Sequence, residues 1–389
     1  MRKTILALLI FLIPLLTSGP AWPQAQPPIR VGVLLSLTGP LAVSGEDTLN
    51  GMRLYFDEVN NTLAGRKIEL TVEDDAGNAN MALTKVQKLV EKDKVNLLLG
   101  IVSSASAYAI RDYVHNNKIP LMITCAGAAD LTLSKKSPYI FRTANDNTQE
   151  PMALGYYAAT KLGYKTAVAI AADFAAGREM VAAFAKTFTA AGGKMVKEVY
   201  PPLGTADFAP FLTQFSKEQG DVMVAMMFGI DGARFLTQYR EYGVNKPLVG
   251  QGALVSNDVI KASGNAALGV VSAKQYSDIM DTPGVRRFVD ESVKRYKVRP
   301  DFVAEQGYVG AKAIGEAVKS VGGNIEDTPR FLEALRKVKF QGPVGLVWFD
   351  QNQQRVFDVY IRKVERQGNT LVNKVLDRIP EVSQSWTPK

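Results

Sequence analysis

A chain of 389 residues, 47% hydrophobic and 22% charged, has the composition of a folded protein and exceeds the length that one core usually supports. One cysteine, Cys125, excludes an intramolecular disulfide or a Cys-rich metal site, and one histidine, His115, argues against a His-based metal or catalytic centre. The formal charge of +8 carries no basic run with interleaved aromatic residues, so nucleic acid is not an expected partner. The opening segment reads as a secretory signal peptide over residues 1–25. Arg2 and Lys3 precede an apolar run from Ile5 to Leu16, followed by Thr17, Ser18, Gly19 and Pro20, with cleavage expected after Ala21 or Ala25. That run is too short for a bilayer core of about 30 Å, and no cysteine nearby encodes a lipid anchor. Export as a soluble protein is therefore expected.

From residue 29 the pattern alternates between strand and helix. Residues 29–35 are apolar apart from Arg30 and rich in β-branched side chains, which predicts a buried strand. Residues 46–60 carry Leu49, Met52, Phe56 and Val59 at helical spacing. A strand at 68–74, a helix at 80–92, a strand at 95–100, a helix at 105–116 and a strand at 121–124 follow. After 139–143 the pattern starts again. Helices are expected at 148–162, 178–191, 207–219 and 231–242, and strands at 166–171, 194–200, 222–227 and 248–250. Two α/β units in tandem are the result, each with a parallel sheet between helices. The remainder holds long helices at 285–296 and 302–320, a shorter one near 329–338, and strands at 344–349 and 356–363. Too few strands remain for a third sheet, so this segment should return to both earlier units. The chain then crosses between them about three times, as a hinge requires.

Enzyme signatures are absent: there is no GxxxxGK[ST], HExxH or GxSxG. Ser104 and His115 lie eleven residues apart on one helix, roughly 16 Å, too far for a catalytic hydrogen bond. His115 belongs at the helix end, where a cation suits the dipole. The informative places are the strand C-termini, where open α/β sheets bind ligands. Residues 100–106 place Ser103, Ser104 and Ser106 at a helix start. One of these serines serves as N-cap, leaving a hydroxyl and free amides able to hold a carboxylate. Residues 124–128 are Thr, Cys, Ala, Gly and Ala, small enough for a ligand to approach the backbone.

Residues 37–45 (LTGPLAVSG) resemble the opening motif of the periplasmic leucine/isoleucine/valine-binding protein family. Gly51, residues 73–75, 100–104, 139–143 and 173–177, Gly243, Gly269 and residues 345–350 fall in the family's order. The resemblance implies a type I periplasmic-binding fold: two doubly wound α/β lobes joined by three crossovers, with one lobe at 28–143 plus 278–342 and the other at 144–277 plus 343–389. It implies a monomeric periplasmic protein, with no cofactor, metal or catalysis, that delivers a solute to an ABC permease complex in the inner membrane. The same clamp would also serve as a ligand sensor for a membrane receptor.

By the same resemblance, Ser104, Cys125 and Gly127 hold a ligand carboxylate, and Ser44, Val102, Phe174, Ala176, Phe228, Gly252 and Tyr276 line the pocket. The ammonium end departs from the family pattern. Ala176 stands for the usual tyrosine, Phe228 lacks a hydroxyl, and Gly252 stands where a glutamate is expected. An ammonium without acceptors loses several kcal/mol on burial. Asp231 is the candidate to replace the missing glutamate, although it begins a helix, where an acidic residue is explained equally by the helix start itself. Alanine and glycine at 176 and 252 should open space walled by Phe174, Phe228 and Tyr276. The expected ligand is therefore a small hydrophobic or aromatic carboxylate, with a branched-chain amino acid as the alternative.

Overall fold

A computed structural model describes residues 26–215 and 220–388, so the signal-peptide reading and the last part of the helix expected at 207–219 lie outside the described residues. The first sheet comprises β1 (Ile29–Leu35), β2 (Thr62–Leu63), β3 (Arg66–Asp74), β4 (Leu97–Gly100), β5 (Leu121–Ile123) and β6 (Ile140–Arg142), in the order β2-β3-β1-β4-β5-β6. Its strands are parallel except for the β2–β3 hairpin. Between them run α1 (Ala42–Glu58), α2 (Ala79–Gln87) and α3 (Ser104–Asn116).

The second unit holds α4 (Gln149–Thr160), β7 (Thr166–Ala171), α5 (Ala175–Ala190), β8 (Lys194–Val199), α6 (Ala209–Phe215), β9 (Val222–Met226), α7 (Gly229–Glu241), β10 (Leu248–Gln251), α8 (Asn257–Ser263) and β11 (Val271–Lys274). Three helices follow, α9 (Pro283–Tyr296), α10 (Phe302–Ser320) and α11 (Thr328–Arg336), then β12 (Lys339–Gln341), β13 (Leu346–Phe349), β14 (Arg355–Gln367) and β15 (Thr370–Val382). The second sheet runs β12-β13-β14-β11-β10-β9-β7-β8, with β15 on β14. Strands β7 to β11 pair in parallel, and β14 turns antiparallel against β11.

The central strands of both sheets are buried on both faces, as their apolar sequences require. In β9, Val222, Val224 and Met226 face α4 and α5, through Leu154 and Phe184, while Met223 and Ala225 face Phe208 and Phe235. The late helices return to the first sheet: Tyr308, Ile314 and Phe331 share a core with Val31, Val33 and Leu99. Val347 and Phe349 join that same core, and Phe349 meets Phe141 edge-on at 5.5 Å, although β13 is hydrogen-bonded toward the second sheet. Val347 and Phe349 thus pack in the first core from a strand paired toward the second sheet.

The connections decide where a ligand can go. The chain leaves the first sheet at the C-terminal end of β6, returns from the C-terminal end of β11, and passes back between β13 and β14. The C-terminal edges of the two parallel sheets therefore share one cleft.

Helices α1 and α10 pack at backbone contact: a Cβ on Gly51 would lie 1.9 Å from the Ala304 carbonyl oxygen, and one on Gly307 2.3 Å from that of Thr48. Backbone cannot yield as a side chain can, so Gly51→Ala should lower stability by about 1–3 kcal/mol. Urea unfolding checks this, and a variant as stable as the wild type would show that the helices part freely.

Candidate functional site

The expected carboxylate turn begins with a forced bend. Gly100 has φ +131°, and a Cβ there would lie 2.3 Å from the Leu34 carbonyl oxygen. Ile101 follows at φ +68°, a left-handed conformation that a β-branched residue adopts only under constraint. Its amide donates to Leu34 O at 2.8 Å and its carbonyl accepts from Ala126 at 3.0 Å, which tie the bend to both neighbouring strands. The bend aims the start of α3 at the cleft. Ser103 caps the helix, its Oγ accepting from the Ser106 amide. Ser104 is the first helical residue, half-buried, with a hydroxyl that bonds no other described residue. Among the described residues, the amides of Ser104, Ala105, Cys125 and Gly127 likewise have no acceptor. Two adjacent strand ends therefore present a hydroxyl and four free N–H groups, an arrangement suited to an anion. Burial pushes the Cys125 thiol up to about 11, so the cysteine offers its amide and a neutral sulfur. Val102 is buried beneath this turn, and Ser44 lies half-buried in the first turn of α1 at the adjoining strand end.

The 37–45 motif is anchored by the acidic end of β3. Asp74 accepts from the Leu37 amide at 2.8 Å and from the Thr38 hydroxyl at 2.6 Å, and Asp75 accepts from Ser36 at 2.6 Å. Burial opposes the Asp74 charge, but these donors outweigh it and hold its carboxyl below the usual range. Glu73 binds Lys85 and Lys88. The three acids are thus structural.

Across the cleft, Phe174 and Phe228 precede α5 and α7 in nearly identical extended conformations, with φ −157° and −155°. Their half-buried rings meet edge-on at 5.6 Å. Neither helix has a side-chain N-cap, so this edge joins an aromatic wall to uncapped amides. Ala176 is buried in the first turn of α5. Asp231 sits in the first turn of α7, where Oδ2 accepts from the Gly204 amide at 2.7 Å and Oδ1 lies 3.8 Å from Arg234 without a hydrogen bond.

Two pocket expectations are corrected. Tyr276 is fully buried, its ring packed edge-on against Phe288 at 6.2 Å and its hydroxyl donating to Pro300 O at 3.2 Å, so it walls a core and has no face on the cleft. Gly252 does not open space for a ligand. The stem of Lys274 runs across it, and a Cβ on Gly252 would lie 2.4 Å from Lys274 Cδ. The glycine is what allows the lysine to pass.

Lys274 was absent from the sequence-derived site, although it is a charged residue closing a strand whose Ala273 is fully buried. It is 2% exposed and pairs with Glu150 at 3.1 Å. Burial moves Lys274 down and Glu150 up, and their attraction opposes both shifts. Beside them, Arg355 forks onto Glu305 at 2.8 and 3.1 Å, and Arg362 donates to Tyr276 O, Gly252 O and Ser272. Arg142 fills the crossover from β6, donating to Ala128 O and Thr132 at 2.6 Å. His115, at the end of α3, meets Ser137 at 3.0 Å, away from Ser104.

A further acidic group spans the cleft edge. Asp301 accepts from the amides of Phe302 at 2.7 Å and Asn257 at 2.8 Å, tying the starts of α10 and α8 together. Asp47 on α1 stands near it. Burial, then the charges of Asp301, Asp258 and Glu46, raise its carboxyl to about 7.

Two α/β units whose strand ends meet across a cleft, with free amides on one side and an aromatic wall on the other, define a hinged solute-binding protein. Residues 28–369 match the periplasmic binding protein family, and the chain belongs to it. Leu/Ile/Val-binding protein homolog 6 of Brucella melitensis is 28% identical over 357 residues, covering 89% of this chain and 90% of that one. An ABC transporter substrate-binding protein from Sphaerobacter thermophilus is 39% identical with a TM-score of 0.89, over 92% of this chain and 99% of that one. A solute-binding protein of an ABC transporter from Rhodopseudomonas palustris BisB5, solved in complex with 3,4-dihydroxybenzoic acid, is 32% identical with a TM-score of 0.86, over 92% and 98%. These are binding proteins and not enzymes, in agreement with the sequence reading.

The Asp47 carboxyl gives a pH test. Its folded value lies above its ordinary 3.8, so the native state holds the extra proton and stability falls as pH rises from 3.8 to about 7. Asp47→Asn removes that fall. Asp47 is only partly buried, so solvent screening reduces the gain to about 1–2 kcal/mol above pH 7, with none near pH 4. Unfolding of ligand-free protein at three pH values measures it, and a gap that does not widen with pH contradicts the assignment.

Proposed function

We propose that this protein captures a small hydrophobic or aromatic carboxylate in the cleft between its two lobes and presents it to an ABC permease in the inner membrane. The lobes are taken as 28–143 plus 278–342 and 144–277 plus 343–389, and the opening 25 residues as the export signal. The observation that carries the reading is the pairing of unlike halves. Ser104 and the free amides of Cys125 and Gly127 suit a carboxylate, and the Phe174–Phe228 pair suits a flat apolar body. No carboxylate stands at Gly252 or Ala176 to receive an ammonium. The bound 3,4-dihydroxybenzoic acid of the Rhodopseudomonas palustris relative supports the same ligand class. Binding to the first lobe and closure of the second follow the usual hinge logic. A branched-chain amino acid is the competing ligand, favoured by the name of the Brucella relative.

The test is a melting series on protein unfolded and refolded to strip carried ligand. Benzoate, 4-hydroxybenzoate or 3,4-dihydroxybenzoate at 100 times its dissociation constant should add about 2.7 kcal/mol of stability, while leucine and valine add none. A shift with the amino acids alone overturns the ligand class. In calorimetry, Ser104→Ala should weaken binding of the aromatic acid by about 1–3 kcal/mol, and unchanged affinity removes Ser104 from the site.

A further inference from the structure

Lys274 is held more tightly than its pairing with Glu150 requires. Its ammonium donates to Asn145 Oδ1 at 3.0 Å and Glu150 Oε2 at 3.1 Å, and it lies 3.9 Å from the centroid of the Phe302 ring. Asn145 is itself fixed by Gln306 Nε2 at 2.7 Å. An ammonium carries three N–H donors, and two are accounted for among the described residues. The place of the third is set by register. Ile123 lies opposite Arg142, and the Asn147 amide donates to Gly127 O at 2.8 Å, so the 123–127 and 142–147 segments run side by side. By that register Asn145 lies opposite Ala126, between Cys125 and Gly127, so the ammonium that its side chain accepts from is carried beside the segment whose amides are free. The Cys125 thiol feels that positive charge.

We infer that Lys274 is a specificity-determining residue, whose remaining N–H donates to the carboxylate of the bound solute and whose charge turns away a ligand that brings its own ammonium. This deepens the carboxylate reading and rests on it. The Lys274–Glu150 pair is neutral as a whole, so its effect on a ligand is local. Around the anion site the ligand meets four amide donors, the Ser104 hydroxyl and the lysine, a set that satisfies a carboxylate and leaves an ammonium short of acceptors. The lysine stem also fills the room above Gly252, which an amino group with its own counter-charge would need.

The experiment compares benzoate, 4-hydroxybenzoate and 3,4-dihydroxybenzoate with their carboxamides, and with L-leucine and L-phenylalanine, by calorimetry. The proteins are wild type, Lys274→Gln, and Lys274→Gln/Glu150→Gln. The double variant matters because the single one leaves Glu150 buried without its partner. The expected result is a loss of about 10–100-fold in affinity for the acid, with the amide nearly unchanged, so that the acid-to-amide ratio narrows in both variants. A structural role for Lys274 would weaken acid and amide alike. A double variant that melts like the wild type and keeps the wild-type ratio overturns the inference and leaves the carboxylate reading standing. Wild-type protein that favours acid over amide by less than tenfold overturns it without any variant. Wild-type protein that binds L-leucine and none of the aromatic acids overturns the carboxylate reading, and the inference with it.

Discussion

Charge buried where the two units join is the constraint on which the rest of the structure depends. The Arg355–Glu305 fork, the Lys274–Glu150 pair and the Arg142 guanidinium are all 2% exposed or less, and they sit where the chain passes between the sheets. Such groups contribute little net stability compared with apolar residues of the same shape, but each requires a defined partner at a defined distance. Glu305 belongs to a helix of the first core and Arg355 to the second sheet, so their fork fixes the separation of the two units. Gln354 extends the lattice by donating to Ala144 O at 2.7 Å and to Gln149 at 3.0 Å. Gln149 in turn donates to Val382 O at 2.8 Å, which brings in the last strand. The crossover groups bind one another across the junction, and these bonds fix where the cleft lies.

On the proposed function, this arrangement divides recognition between the lobes. The first contributes donors from backbone, set by strand ends and the start of α3, and a backbone amide cannot be repositioned by a rotamer change. The second contributes ring faces at two helix starts of the same conformation. Phenylalanine in place of tyrosine removes a hydrogen-bond partner from the ligand and leaves its apolar body to be recognised by shape. An anion anchored at one end and a flat body sandwiched at the other make a ligand whose two ends are read by different physical effects.

Much of the fold was legible because buried parallel strands leave largely apolar runs, as at 29–35 and 222–227. The ends of α3 and α10 fell within a residue of their expected positions for the same reason, an apolar stripe at helical spacing. What escaped was governed by long-range contact. β15 carries Pro380 and alternates irregularly, with most side chains exposed, so it has no sequence signature of its own and exists because β14 offers it an edge. β11 is four residues long and ends in a lysine, which local pattern reads as the end of a strand facing water. The helix start at 103–104 was legible because its signal is local: small and hydroxyl residues after a strand. Tyr276 was misplaced and Lys274 missed because which side of a strand end faces the cleft is decided by register with β10 and β14, and by what passes over Gly252.

The site is also where the chain is least satisfied without a ligand. Ile101 is held in a left-handed conformation that costs on the order of 1–3 kcal/mol. The helices α1, α5 and α7 begin there without a side-chain cap, a feature that forgoes about 1 kcal/mol each. Four amides of the anion turn lack acceptors among the described residues. A core could not hold so many unmet donors, but a cleft open to water can, because water serves as the acceptor until a ligand displaces it. The free amides of the turn stand at one cleft edge and the uncapped starts of α5 and α7 at the other, while the crossovers between them carry many side-chain hydrogen bonds. Binding an anion satisfies the donors of one edge, and covering its apolar body brings the other edge over it. If the proposed carboxylate binds there, the stability gained is concentrated at the edges that must meet, which is the condition for a ligand to drive closure and not simply to occupy a preformed hole.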